Sequence, residues 1–281
     1  MKEWIRRFNV ENRNLGRLHF WEIKEFLSNL INRIDPVFNL RLRRRHRADF
    51  AKLDLPTVGS AVLRTKQEAE KASGTVEAAG LPHIPLKDWD TLIAFAQVTG
   101  STGPSARVLD AGTERYSTIL LWLYLRGYRS LVGCNLAFPG PLYRGSIRYE
   151  YGDIQKTAYD DAEFDAITCL SVIEHAVALE PFFREMARIL KVGGVLVVST
   201  DYWDPKISTS DVRESYYVAT QREFSQSTWT IFNSREIDEM IDIAARNKLV
   251  LTSNFDKSCV ETNADYLGKS YTFVCMTFRR T

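Results

Sequence analysis

The chain has 281 residues, 45% of them hydrophobic and 26% charged, with a formal net charge of +2. That is ordinary globular composition, and the length allows one large domain or a domain plus an appendage. No apolar run approaches the ~20 residues of a membrane-spanning helix, and the longest, Ile119 to Leu125, stops at Arg126.

The first stretch, MKEWIRRFNVENRNLGR, lacks the apolar centre of a secretory leader. A cytoplasmic protein is expected, with a peripheral membrane contact left open. Phe20, Ile23, Leu27, Leu30 and Ile34 recur at helical spacing, and Asp35-Pro36 should end that amphipathic helix. Residues 1–50 carry 12 Lys/Arg against 6 Asp/Glu, so the basic excess is local and peaks at RLRRRHR, Arg41 to Arg47. Such a run can meet phosphate backbones, an anionic membrane surface or acids on a partner chain. Few aromatics interleave the arginines, which ranks nucleic acid below membrane-surface association, and a helical arm could equally build a homodimer. Residues 64–79 are polar and helix-prone, GLPHIPLKDWD is an extended link, and DWDTLIAFAQVTG is a helix closed by Gly100.

From Arg107 the texture alternates. RVLDAG, SLVGCNL, IRYEYGDI, FDAITCLSVIEHA and VLVVSTDYW are strands. YSTILLWLYLRGY, closed near Gly127, and LEPFFREMARILKVGG, with its Gly stop, are helices between them. Alternation of this kind implies right-handed crossovers and a parallel sheet covered on both faces. Residues 202–233 break the rhythm with Tyr202, Trp203, Tyr216, Tyr217, Phe224 and Trp229, as a lid or binding insertion does. SREIDEMIDIAARNKL is a helix with Ser234 as its N-cap, and LVLTSNFD and SYTFVCMTFRR are two last strands. Cys134, Cys169, Cys259 and Cys275 lie far apart without a CxxC pair. They read as buried thiols, and no metal site is expected.

In an open parallel sheet, ligands bind beyond the carboxyl ends of the strands. Polar groups stand at five such ends: Asp110 to Tyr116, Asn135, Asp153-Ile154, Ser171 to His175, and Asp201 to Trp203. Gly112 permits a sharp turn and a close backbone approach. Asp110 can accept from an ammonium group, Asn135 can face a hydroxyl, and Asp153 can accept from an exocyclic amine with Ile154 against a ring. His175 titrates in a range useful for removing a proton, or it caps or packs at a helix start. Asp201 is a second base or orienter, or an N-cap.

The segments VLDAGT, GCNL, YGDI, FDAITCLSVIEH and MARILKVGGVLVVST together resemble class I S-adenosylmethionine-dependent methyltransferases, nearest to bacterial enzymes acting on small molecules or glycans. The resemblance runs from about Trp89 to the C-terminus. It implies a doubly wound, mostly parallel seven-stranded α/β sheet, Rossmann-like, over residues 86–281. A helical, basic extension would occupy 1–85, and YTFVCMTFRR would be the antiparallel strand. It implies that S-adenosylmethionine is held by Asp110, Ala111, Gly112, Thr113, Ser117, Asn135, Asp153, Ile154 and Ser171. It also implies His175 near the methyl-transfer face. From the residues themselves, His175 and Asp201 are the catalytic candidates, and Tyr202, Trp203 and Trp229 the candidate acceptor contacts, since flat rings stack on apolar sugar faces. The family commonly has small residues where Glu114 and Tyr116 stand and an acid where Asn135 stands; Arg115, Thr113 and Ser117 can answer the cofactor carboxylate. The implied activity is methyl transfer to oxygen on a glycan or small metabolite. An RNA methyltransferase using the basic arm, or an inert cofactor-binding or partner subunit, are the alternatives.

Overall fold

The computed structural model describes residues 30–218 and 223–281, and for 215–218 and 223–227 the backbone alone. The expected helix through Phe20, Ile23 and Leu27 lies outside these residues, as do the side chains of Tyr216, Tyr217 and Phe224. Helical backbone at 30–32 stops before Asp35-Pro36, but the proline then opens a new helix, α1 (Asp35–Arg45). Proline is tolerated in a first turn because its missing N–H has no partner there anyway. Arg43, Arg44 and Arg45 fill the last turn, where cations offset the helix dipole, while Phe38 and Leu42 face the core.

Strand β1 (Ala61–Val62) precedes α2 (Lys66–Ala78), whose N-cap Thr65 accepts from the Glu68 N–H at 3.2 Å. Helix α3 (Asp88–Ser101) runs through Gly100 rather than stopping at it. The backbone turns extended only at Thr102, whose hydroxyl donates back to the Val98 carbonyl at 2.7 Å. Then come β2 (Arg107–Ala111), α4 (Ile119–Arg126), β3 (Ser130–Asn135), the hairpin of β4 (Leu142–Arg144) and β5 (Ile147–Tyr151), β6 (Phe164–Leu170), α5 (Leu179–Ile189) and β7 (Leu190–Tyr202). Gly127 ends α4 with φ 112°, a left-handed C-cap that glycine takes without strain. Gly193 and Gly194 do not stop α5; they lie within β7, beside a register shift against β6.

After β7 the chain makes a two-stranded hairpin, β8 (Glu214–Val218) and β9 (Glu223–Ser227). It returns beside the sheet, where the Phe232 N–H donates to the Asp201 carbonyl at 3.0 Å and the Thr230 N–H to the Glu174 carbonyl at 2.9 Å. Helix α6 (Ser234–Arg246) is capped by Asn233, one residue before the expected Ser234. Asn233 Oδ1 accepts from the Glu236 N–H at 3.0 Å, and Glu236 Oε2 from the Asn233 N–H at 2.9 Å, a reciprocal capping box. Strands β10 (Leu249–Leu251), β11 (Ala264–Tyr266) and β12 (Lys269–Arg280) complete the chain.

The sheet order is β4-β5-β3-β2-β6-β7-β12. The strands β2, β3, β5, β6 and β7 are parallel, and β12 runs antiparallel to β7. The outer edge of β12 is shared by β10, β1 and β11. This is the expected Rossmann-like methyltransferase sheet, with β10 as the expected LVLTSNFD strand and the short strands β1, β4 and β11 added. Helices α1 to α4 cover one face, around Phe38, Phe95, Trp122 and Tyr124. Helices α5 and α6 cover the other, around Phe182, Phe183, Met186, Ile237 and Met240. Each such side chain contributes ~1.5–3 kcal/mol on burial. Packing does not pause between 85 and 86: buried Trp122 Nε1 donates to the Pro82 carbonyl at 2.6 Å. From β2 the chain winds first to β3 and β5, then crosses to β6 and β7. The crevice at that reversal opens beyond the carboxyl ends of β2 and β6. No helix among the described residues is long and apolar enough to cross a membrane.

Candidate functional site

Two adjoining cavities, of about 340 and 620 Å³, open in that crevice and share Gly112, Glu114, Ser171, Val172 and His175 among their walls. The larger one is built by the loops after β2, β3, β5 and β6, with Arg213, Glu214, Tyr266 and Leu267. Gly112 sits at φ 81°, and its N–H donates to the Cys134 carbonyl at 2.9 Å. A Cβ there would stand far inside van der Waals contact with Val172, so only glycine lets the loops after β2 and β6 close on each other. Ser117 Oγ accepts from the Glu114 N–H at 3.1 Å, holding the turn. Asn135 Nδ2 donates to the Thr113 carbonyl at 2.9 Å, the Gly112 carbonyl at 3.2 Å and Glu114 Oε1 at 3.3 Å, while its Oδ1 accepts from the Ala137 N–H at 2.9 Å. Its amide is therefore engaged in clamping the loop. The carboxylate in this wall is Glu114, whose pKa burial pushes up. Asp153 and the buried Ile154 line the far end.

The smaller cavity is a polar well. Asp110 lies in its wall, with Thr168 Oγ1 donating to Oδ1 at 2.7 Å. Burial lifts its carboxyl to about 6, against the hydrogen bonds from Thr113 and Thr168. Beyond it stand Asp90 (2% exposed), Glu174 (1%) and Asp201 (3%). Ser199 Oγ donates to Asp90 Oδ2 at 2.6 Å, Thr200 Oγ1 to Glu174 Oε2 at 3.0 Å, and Trp229 Nε1 to Asp201 Oδ2 at 2.7 Å. The second oxygens of Asp90 and Asp201 have no hydrogen-bond partner. Burial, then the charge of Glu174, raise the Asp201 carboxyl well above its ordinary value. Lys87 Nζ turns to Ser171 Oγ at 2.6 Å and lies 4.4 Å from the centre of the Phe273 ring. Ser171 itself holds φ 52° and Ala176 φ 57°, left-handed backbone that costs free energy and clusters at functional sites.

His175 Nδ1 is 2.5 Å from Glu214 Oε2, at the start of β8. Burial alone would lower the imidazole pKa. The Glu214 hydrogen bond and the charges of Glu174, Glu214 and Asp201 outweigh it and raise the value to about 9. At neutral pH the ring is therefore protonated and tied to Glu214, latching the segment after β7 onto the loop after β6.

Of the expected site residues, Asp110, Ala111, Gly112, Thr113, Ser117 and Ser171 line the smaller cavity, and Asn135, Asp153 and Ile154 the larger. His175, Asp201 and Trp229 also face the well. Tyr202 and Trp203 line neither cavity: Tyr202 is buried among core side chains, with its hydroxyl donating to the Lys257 carbonyl at 2.6 Å, and Trp203 packs beside Ile207 and Val212. Arg115 is exposed and outside both walls. Glu174, within the expected Ser171–His175 stretch, also lines the well; Lys87, Asp90, Glu214, Tyr266 and Tyr271 join it and were not foreseen. An acid such as Asp90 in the first turn of an otherwise apolar helix was the available signal.

No curated protein matches the chain by sequence. Solved structures similar to it include geranyl diphosphate C-methyltransferase from Streptomyces coelicolor A3(2), at 19% identity and TM-score 0.49, covering 83% of this chain and 89% of that one. An S-adenosylmethionine-dependent methyltransferase from Mesorhizobium loti matches at 16% identity and TM-score 0.46, covering 68% and 98%. The 1,6-didemethyltoxoflavin-N1-methyltransferase of Burkholderia thailandensis matches at 15% identity and TM-score 0.46, covering 68% and 78%. Residues 126–198, from the end of α4 into β7, match the family model described as a methyltransferase domain, on a sheet whose strand order is that of the Rossmann-like methyltransferase fold.

Proposed function

We propose that the chain transfers a methyl group from S-adenosylmethionine to a small polar acceptor, with a hydroxyl oxygen of a glycan or small metabolite as the nucleophile. The observation that carries this reading is the junction of the two cavities at Gly112 and Ser171, with a matched set of polar groups on each side. The residues fit the cofactor's parts. Asp153 and Ile154 suit an adenine, Glu114 suits ribose hydroxyls in place of the expected Asn135, and Asp110 suits the ammonium of the methionine end. Bound there, S-adenosylmethionine supplies a methyl group on a positively charged sulfur, which leaves as a neutral thioether when the methyl passes to the acceptor.

The chain's own work is alignment, exclusion of water and proton removal. Protonated His175 is not free to take a proton at neutral pH, so the base role passes to Asp201. Asp201 lines the well, and its Oδ1 has no hydrogen-bond partner while Trp229 holds Oδ2, so that oxygen is the one to accept the hydroxyl proton. The His175–Glu214 latch and the returning segment through Trp229 close the well from water. Titration calorimetry with S-adenosylhomocysteine should give saturable binding in about the micromolar range. No heat at millimolar ligand would remove the reading.

A further inference from the structure

The charge of the well goes beyond what methyl transfer to a neutral hydroxyl requires. Asp90, Glu174 and Asp201 face it, against one lysine. His175 is matched by Glu214, and Asp110 is matched by the cofactor's ammonium in the reading above, on which this inference rests. Lys87 points to Ser171, and among the described residues no lysine, arginine or histidine stands within ion-pair distance of Asp90 or Asp201. Asp90 carries the sharpest imbalance: it lines the cavity at 2% exposure, Ser199 satisfies Oδ2, and the buried Oδ1 has no hydrogen-bond partner. A buried carboxylate in this condition is costly until a donor arrives, and a charged donor relieves it more than a neutral one. The aromatic wall of Trp229 and Tyr271, ring centroids 5.2 Å apart, also favours a cation. That aromatic wall fits an organic cation.

We infer that the acceptor is an amine-bearing small molecule, an amino sugar or amino alcohol, whose ammonium group docks on Asp90 while its hydroxyl meets Asp201. Burial raises the Asp90 carboxyl, and a docked ammonium would stabilise its ionised form.

The test uses two probes of one shape, cyclohexylamine and cyclohexanol, followed by ligand-observed NMR on the full chain with and without saturating S-adenosylhomocysteine. The ammonium probe should bind about tenfold more tightly than the alcohol. Asp90→Asn, which keeps the Ser199 contact and the shape, should erase that preference while S-adenosylhomocysteine binds as before. Lys87→Met, which removes the cation facing the well, should strengthen ammonium binding severalfold. Equal binding of the two probes, no ammonium binding at tens of millimolar, a preference that survives Asp90→Asn, or weaker binding in Lys87→Met would each overturn the inference. Absence of S-adenosylhomocysteine binding would instead strike the methyl-transfer reading, and the ammonium preference of the cofactor-free chain would still decide this one.

Discussion

The two halves of the crevice are built on opposite terms. In the larger cavity the polar groups answer one another: Asn135 clamps the turn after β2, and Asp153 Oδ1 accepts from the Gln155 N–H at 2.9 Å. In the well, two buried carboxylate oxygens answer nothing. The first half is built mainly on the loops after β2, β3 and β5, which their own hydrogen bonds hold in place. The second draws on α3, the loop after β6, the end of β7, the return at Trp229 and the β11–β12 hairpin, and its charge is left for a ligand to balance. A preformed half suits an invariant cofactor, whereas an unbalanced half suits selection of an acceptor.

The strongest way to break this comparison is at Asp201. Asp201→Asn keeps shape and the Trp229 contact but removes the proton acceptor. Turnover should fall about 10²–10⁴-fold, the range of general-base losses, while calorimetry shows S-adenosylhomocysteine affinity nearly unchanged. Equal losses in both would mean that the two halves are not separable.

Gly112 probes the other half. Gly112→Ala meets Val172 and demands φ 81° of an alanine, which should cost about 1–3 kcal/mol of stability and weaken cofactor binding, read by denaturant melts and calorimetry. Val172→Ala in the same chain should restore part of the loss, since it relieves the clash and not the backbone. No recovery would show that the loop-to-loop contact is not what glycine serves.

Asp110 sharpens the division by pH. Its carboxyl is lifted to about 6, so the charge that would hold the cofactor's ammonium is present above that value and lost below it. S-adenosylhomocysteine affinity should be flat above pH 6 and fall about tenfold per pH unit beneath it. Asp110→Asn should bind more weakly and without that slope. A smaller effect is expected at Glu114, where Glu114→Gln removes the charge offered to the ribose: affinity should drop by about 1 kcal/mol, with the ammonium preference of the well intact.

Legibility in the sequence divides along the same line. Strands β2, β3, β6 and β7 are apolar runs bounded by turns, and their alternation with helices announces the sheet, because burial on both faces imposes that pattern. The turn residues that follow are contiguous with the strands, so Asp110 to Ser117, Asp153 and Ile154 could be read from position. The well could not. Asp90 and Asp201 are separated by more than a hundred positions, and an acid in a helix's first turn ordinarily serves the dipole. Tyr202 and Trp203 looked like acceptor contacts by adjacency to Asp201. Alternation along β7, however, turns Tyr202 into the core, and the true neighbour, Trp229, arrives from the returning segment. Asn135 was assigned by its place after β3, but only the folded loop reveals that its amide is already engaged. Pro36 read as a stop because a proline opens one helix as readily as it ends another.

The gentlest perturbation concerns the latch that separates the well from solvent. His175 ordinarily titrates near 6.5 and here near 9. A folded-state value above the unfolded one means that the pair stabilises the fold fully below pH 6.5 and that the contribution fades as pH rises through 9. The ring is partly exposed, so solvent screening keeps the effect modest. Thermal melts of the parent chain and of Glu214→Gln should therefore differ most at pH 6.5 and converge above 9. Because Glu214 begins β8, the same variant should let water reach the well more readily, raising the acceptor KM more than it lowers kcat. A melting difference that grows with pH would mean that His175 is neutral in the fold. That result would return it to candidacy as the base.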